Sequence, residues 1–477
     1  MGGQDKNAEL RGLLDEAEMS NTALAGAVVA AGGREGIHLG TSSTTVRRML
    51  DGCRPHWPTP RLVAAVLSGR LQREISVTDC GFADCTPPGE DPYDGLRCCG
   101  TLEGTVRTVV ELSGRDMRRR KLLVGSVFSM AAFAEPTLYA LIVPPALSTA
   151  RAGGRRVGMA DVEILTEQIA NLSKLGLQYG AGRVREQMVA LLHREANQLL
   201  HGTYSEKTGR ALLSAVARAT CMSGVMSGDV GRPSLAQRYH IQALDLAMRA
   251  GDRCFGANIL QEAGRLTVRL GENAPTGQDN NTSQHGRQAV ALARAGLSIA
   301  QDTATPALAA KLHAVEARGF ALLGDARETR LAVAAAQRYY ESASPEDRAL
   351  LYTINGFGDD LGNCLGRIGD TEQAITMSTL ALNDIEPWMV RPLCLVQTGL
   401  ALTHLHSREL EQAAEYGRQA LRTAATLSST ITVERLRTLH RQAHPLRSAS
   451  PPLRDLDDRL TTFLAHPTRH QPNDNSR

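Results

Sequence analysis

The first hydrophobic positions in the chain recur at helical spacing. Leu10, Leu13 and Leu14 stand at i, i+3 and i+4, which predicts a helix over 7–17. "SNTALAGAVVAAGG" (20–33) predicts a second, with Ser20 as N-cap and Gly32-Gly33 as its stop. "GTSSTTVRRMLDG" (40–52) predicts a third, entered through Ser/Thr caps and ended at Gly52. "TPRLVAAVLSGRL" (59–71) predicts a fourth with Pro60 in its first turn, and "SVTDCGF" (76–82) a short fifth. Several short helices, with a glycine-containing connection between the second and third, describe a helix-turn-helix domain over 1–82.

Beyond it the pattern changes scale. From 157 to 446 apolar-periodic helices follow one another, joined by Gly-Asp or similar turns at Gly228, Gly324 and Gly369 and near Ser407. This spacing is looser than the strict period of about 34 residues of tetratricopeptide repeats. About six helix pairs are expected, over 157–203, 208–250, 252–301, 304–342, 347–385 and 388–426. Two closing helices follow, near 431–443 and 452–465. Such pairs bury their apolar faces only by stacking, which predicts a solenoid with a concave surface. "GENAPTGQDNNTSQHGR" (271–287) reads as a mobile loop, and the polar end "HPTRHQPNDNSR" (466–477) as a disordered tail.

The predicted fold class is therefore all-α: an N-terminal helix-turn-helix domain, then a TPR-like α-solenoid. The divisions are 1–82, a linker with a buried apolar helix over 83–156, repeats over 157–446, and a closing helix and tail over 447–477. In the linker, "TLEGTVRTVVEL" (101–112) is part helical. "RRRKLLVGSVFSMAAFAEP" (118–136) mimics a twin-arginine export signal. It is internal, and its apolar run 122–134 is short for a span, while extension to Leu147 takes in Glu135, Pro136, Pro144 and Pro145. It reads as an apolar helix buried between the two domains, and no membrane association is expected.

Composition sharpens this picture. Aromatics make up 4% of residues while Ala, Leu and Arg abound, which suits close helix packing. The net charge is +3, but between Arg34 and Arg73 seven arginines face only Glu35 and Asp51, a local +5. A basic segment in a balanced chain is what a nucleic-acid-facing element needs. Against this, 1–82 as a whole carries nine basic and nine acidic residues, so DNA affinity is expected to require a dimer. Nine scattered cysteines point to a reducing cytosol, hence a cytoplasmic, nucleoid-associated protein. The cluster Cys80, Cys85, Cys98 and Cys99 has no common zinc spacing, so no metal is expected there.

In a helix-turn-helix domain the third helix enters the major groove. Its candidate DNA-contacting residues are Ser42, Ser43, Thr44, Thr45, Arg47 and Arg48, with Arg54 just beyond it for phosphate. The competing reading is that "SSTT" only caps a helix and the arginines are a solvated face. Tyr339, Tyr340 and Trp388 are candidates to line a ligand or partner groove, or else core anchors. No phosphate loop, HExxH, paired CxxC or nucleophile elbow occurs, so neither an enzyme nor a cofactor is expected. In "HREANQLLH", His193 and His201 read as surface histidines.

The stretch "LAGAVVAAGG…STTVRRMLDGCRPHWPTPRLVAAVLSGRLQREISVTDCGF" resembles the N-terminal domain of a family of actinobacterial transcriptional regulators. These join a Cro/repressor-like (XRE-type) helix-turn-helix to tetratricopeptide-like repeats; regulators of sporulation and antibiotic production are among them. "GRALLSAVARATCMSGVMSGDVGRPSLAQRYHIQALDLAMRAGD" (209–252) is similar to the family's repeat core. The chain departs from its relatives at Met49 and Cys53, where they tend to carry Trp and Gln. The resemblance implies a transcriptional regulator that binds double-stranded DNA, expected as a homodimer, and senses a peptide, small molecule or protein partner through its repeats. The alternative is a repeat-type protein–protein adaptor without sequence-specific DNA binding.

Overall fold

The structure, a computed structural model, describes residues 7–34, 40–55, 57–71, 73, 75–82, 95–117, 128–142, 151, 154–274, 279–301 and 303–465. The chain divides into two compact units, 1–94 and 95–477. The connector residues 83–94, the arginine run with 118–127, and the tail 466–477 lie outside the described residues. Among the described residues the structure is all-α, with only two isolated β-bridges, Arg151 to Tyr204 and Arg156 to Thr203. No described helix is long and apolar enough to cross a membrane.

Unit 1 holds α1 (Ala8–Glu16), α2 (Asn21–Arg34), α3 (Ser43–Leu50) and α4 (Thr59–Leu71). Leu10, Leu24, Val28, Val46, Val63 and Leu67 form its core. Asn7 ties the chain together: its Oδ1 caps α1 at Leu10 (2.9 Å), its Nδ2 donates to the Cys80 carbonyl (2.9 Å), and its N–H donates to the Leu50 carbonyl (3.1 Å). The expected fifth helix is instead a turn over 77–81. There Ser76 and Asp79 bond each other's backbone N–H groups, satisfying the segment locally without a helical ladder.

Unit 2 begins with α5 (Leu102–Met117) and α6 (Ala134–Ile142), then α7 (Met159–Tyr179) and α8 (Arg185–Leu191). A π-helical turn, Leu192–Ala196, carries α8 into α9 (Asn197–Leu200). The hairpins are α10 (Glu206–Asp229) with α11 (Pro233–Ala250), α12 (Arg253–Glu272) with α13 (Asp279–Ile299), and α14 (Pro306–Leu323) with α15 (Ala326–Ser342). After a short α16 (Pro345–Leu351) come α17 (Ile354–Arg367) with α18 (Thr371–Asp384) and α19 (Val390–His406) with α20 (Leu410–Ala424). α21 (Thr430–Ala443) and α22 (Pro451–Ala465) close the body. Members of each hairpin pack on each other, and consecutive hairpins stack.

Several expectations are corrected. The first pair is not a hairpin: α7 packs on α10 and α19, burying Val162, Leu165 and Ile169. Gly228 is not the turn but sits in the last turn of α10, and Gly231 takes the left-handed conformation (φ 78°). At Gly324 and Gly369 the turns fall as expected, with φ of 74° and 86°, while Arg408 rather than Ser407 adopts φ 64°. The stretch read as a loop over 271–287 is mostly helical, since α12 runs to Glu272 and α13 starts at Asp279.

The segment 95–142 is no linker either, where it is described. α5 buries Val106, Val109 and Leu112 against the repeats. Asp116 at its end accepts from Arg185 and from the Tyr239 hydroxyl (2.8 Å), and Thr105 donates to Asp245 (2.7 Å). α6 buries Pro136 and Ala140 but leaves Leu138 59% and Ile142 70% exposed, so the apolar helix is only half buried.

The stack returns on itself. The Gly182 N–H donates to the Ser428 carbonyl (2.9 Å), the Ser428 N–H donates to the Tyr179 carbonyl (2.9 Å), and Arg391 pairs with Asp229 (2.9 Å). The last hairpin and the approach to α21 thus meet the α7–α8 junction and the end of α10, closing the solenoid into a ring. Inside, charged and polar side chains of α12, α14, α17 and α21 pair across the stack. Arg318 donates to Asp360 and Glu272, both at 2.8 Å, Tyr352 donates to Asp360 (2.8 Å), and Arg435 donates to Asn363 (2.6 Å). Burial works against the Asp360 carboxylate, yet Arg265 and Arg318 outweigh it and hold its pKa below the ordinary value.

Candidate functional site

α3 is a short helix whose ends are both secured by its own sequence. At the N-terminus Ser42 Oγ accepts from the Thr45 N–H (3.3 Å), and Thr45 Oγ1 accepts from the Ser42 N–H (3.2 Å). This reciprocal capping box satisfies donors that a helix start leaves unpaired. At the C-terminus Gly52 takes φ 91°. The Cys53 N–H donates to the Arg48 carbonyl (2.8 Å) and the Gly52 N–H to the Met49 carbonyl (3.2 Å), a Schellman closure.

The inner face is Val46, Met49 and Leu50, all buried against the core of unit 1. Burying side chains of this size contributes roughly 1.5–3 kcal/mol each, which fixes the rotation of so short a helix. The outer face is thereby determined. Ser43, Thr44, Arg47 and Arg48 are exposed.

Ser42 and Thr45 spend their hydroxyls on capping, while Ser43 and Thr44 point outward beside the arginines. Two other arginines of the basic segment are engaged: Arg70 Nε donates to the Ala17 carbonyl (3.3 Å), and Arg73 pairs with Glu16 (2.6 Å). Arg47 and Arg48 make no ion pair with a described residue, and Arg54 is exposed just past the Gly52 turn.

The aromatic candidates do not come together. Tyr340 is buried in a stack with Phe357 (4.0 Å between centroids), edge-on to Tyr352. Tyr339, 42% exposed, stacks on His313 (5.4 Å). Trp388 lies near the seam of the ring, its Nε1 donating to Glu386 (2.6 Å) and its ring 4.7 Å from Lys174 Nζ. Among the described residues no ring contact joins Trp388 to either tyrosine.

A cleft of about 440 Å³ opens between α7 and α10, lined by Val162, Glu163, Thr166, Glu167, Ser214 and Arg218 among others. No motif marked it, because its walls belong to helices distant in sequence. His193, expected at the surface, is half-buried, with Nδ1 3.2 Å from the Val110 carbonyl of α5. Burial pushes the Cys80 thiol up to about 12 and raises Cys98 as well, while Cys85 lies outside the described residues. At the end of the body His440, His444 and Asp457 converge. The HxxxH spacing of "HRQAH" (440–444) was a readable signal, whereas its partner Asp457 was not.

Residues 10–83, which span the helices of unit 1, match the model of the family described as SP15 N-terminal domain. No curated protein matches the chain.

Proposed function

We propose that the protein is a sequence-specific DNA-binding transcriptional regulator, with α3 as its recognition helix and the repeat ring as the part that receives a signal. One observation carries this reading: α3 is capped at both ends, rotationally fixed by Val46, Met49 and Leu50, and presents Arg47 and Arg48 without ion-pair partners among the described residues. Arginine recognises guanine through paired hydrogen bonds, and Ser43 and Thr44 can bond a base or a phosphate. Arg54 stands where it would neutralise phosphate.

The resemblance to actinobacterial regulators with an XRE-type helix-turn-helix and tetratricopeptide-like repeats supports the same reading. It suggests a role in development or secondary metabolism. A homodimer would place two copies of α3 about one DNA turn apart. A peptide, small molecule or protein partner acting on the repeats would then alter their spacing. No catalytic step and no cofactor belong to this reading.

The second reading is a protein–protein adaptor, favoured by the zero net charge of 1–82. Enrichment of fragmented genomic DNA by the wild type and by Arg47→Ala/Arg48→Ala separates the two. A palindromic motif retained by the wild type alone supports the regulator. Equal or absent retention by both proteins supports the adaptor.

A further inference from the structure

The junction of α21 and α22 holds a carboxylate with no exposure to solvent, Asp457. Its Oδ1 lies 3.2 Å from His440 Nε2, and its Oδ2 lies 3.0 Å from His444 Nδ1 and 3.4 Å from Arg447 Nη1. His440 Nε2 is also 3.1 Å from Thr461 Oγ1. The two rings are 5.6 Å apart, and the three donor groups lie within 4.8 Å of one another.

We propose that His440, His444 and Asp457 form a binding site for a divalent transition-metal ion of the zinc and cobalt type. Two histidines one helical turn apart present their nitrogens on one face, the spacing used by helical zinc sites. Around a tetrahedral ion with bonds of about 2.0–2.1 Å, neighbouring ligand atoms stand roughly 3.3 Å apart. Both nitrogens lie 3.2 Å from Asp457 Oδ1, close to that spacing. The histidine side chains are 25% and 54% exposed while Asp457 is sealed, so an ion enters from the histidine side and keeps a fourth position for water. Arg447 supplies positive charge to the carboxylate without an ion. Its side chain is 49% exposed, so it can swing into solvent when an ion takes that role. The ion would pin α22 to α21, the helix whose start closes the ring.

The test is a cobalt titration of full-length, untagged protein stripped with chelator and dialysed. One equivalent of Co²⁺ is expected to produce the visible absorption of a four-coordinate ion, and Zn²⁺ to displace it. Loss of an outer partner of a metal ligand costs about 10–100-fold in affinity, so His440→Gln and His444→Gln should each lose about 100-fold or more. Circular dichroism confirms that both variants fold, and His406→Gln, on the exposed end of α19, should bind as the wild type does. If wild type gives no such band, or if the band survives either His440→Gln or His444→Gln, the cluster is a hydrogen-bonded clamp only and the proposal fails.

Discussion

Arg391, in the first turn of α19, donates through Nε to Asp229 Oδ1 at 3.0 Å, joining residues 162 positions apart in the chain. Asp229 is 1% exposed and also accepts from the Ala181 N–H (2.9 Å) and the Ser429 hydroxyl (2.8 Å). One carboxylate thus holds α10, the start of α8's segment, α19 and the approach to α21 together.

Removing one partner of a buried ion pair leaves an uncompensated charge, at about 3–5 kcal/mol. Arg391→Ala is expected to cost the lower end of that range, because Asp229 keeps two other donors. The loss should be local: amide hydrogen exchange should quicken at the seam, in 179–184 and 426–436, before it quickens in α12 to α15. Uniform acceleration across unit 2 would refute a seam-specific role. Gly182→Ala should act at the same place, since a Cβ there would lie 2.1 Å from Ser428 Oγ.

Arg47→Ala or Arg48→Ala alone should cost about 1–3 kcal/mol in DNA affinity and relax the preferred sequence, whereas Arg54→Ala should weaken all sequences alike and flatten the salt dependence. Quantitative binding to the enriched motif and to scrambled DNA at two salt concentrations distinguishes these effects. An unchanged profile for both α3 variants would remove the assignment of α3.

Ser42→Ala deletes half of the capping box and should destabilise unit 1 by about 1 kcal/mol, while Ser42→Gly should cost only a few tenths. A fragment-free readout is available in full-length protein: hydrogen exchange at 43–50. If Ser42→Ala left that exchange unchanged but abolished DNA binding, the hydroxyl would be a contact to DNA rather than a cap.

His240 on α11 is 2% exposed, and burial lowers its pKa to about 4, with Glu262 opposing and Arg269 reinforcing that shift. The unfolded chain binds a proton near pH 6.5 that the folded chain refuses until about pH 4. Its contribution is therefore fully present above pH 6.5 and is lost as the pH falls from there towards 4, by an amount of about 3 kcal/mol. Urea unfolding midpoints between pH 7 and 4.5 should fall more steeply for wild type than for His240→Gln. Parallel curves would place the acid sensitivity elsewhere.

Local features were legible because their causes are local. Ser42, Gly52 and the i, i+3, i+4 triad of Val46, Met49 and Leu50 determine α3 within a dozen residues. Gly324 and Gly369 punctuate hairpins because a left-handed turn suits a residue without Cβ. Gly228 misled for a related reason: it is small because Arg269 Nη2 would lie 2.7 Å from a Cβ there, not because the chain turns. The place of α5 was missed because Val106, Val109 and Leu112 show only that one face is buried, not against what. Ring closure had no signal at all, since Arg391 and Asp229 meet only after the small rotations of every intervening hairpin have accumulated. The Asp457 cluster was half visible, two histidines four residues apart at the end of α21 and a carboxylate in the next helix.

An open stack of hairpins behaves as a spring, in which each repeat can flex against its neighbours and a peptide can lie along the inner curve. Closure through Gly182, Ser428, Asp229 and Arg391 turns the spring into a hoop. A hoop resists uniform stretching and gives way at its clasp.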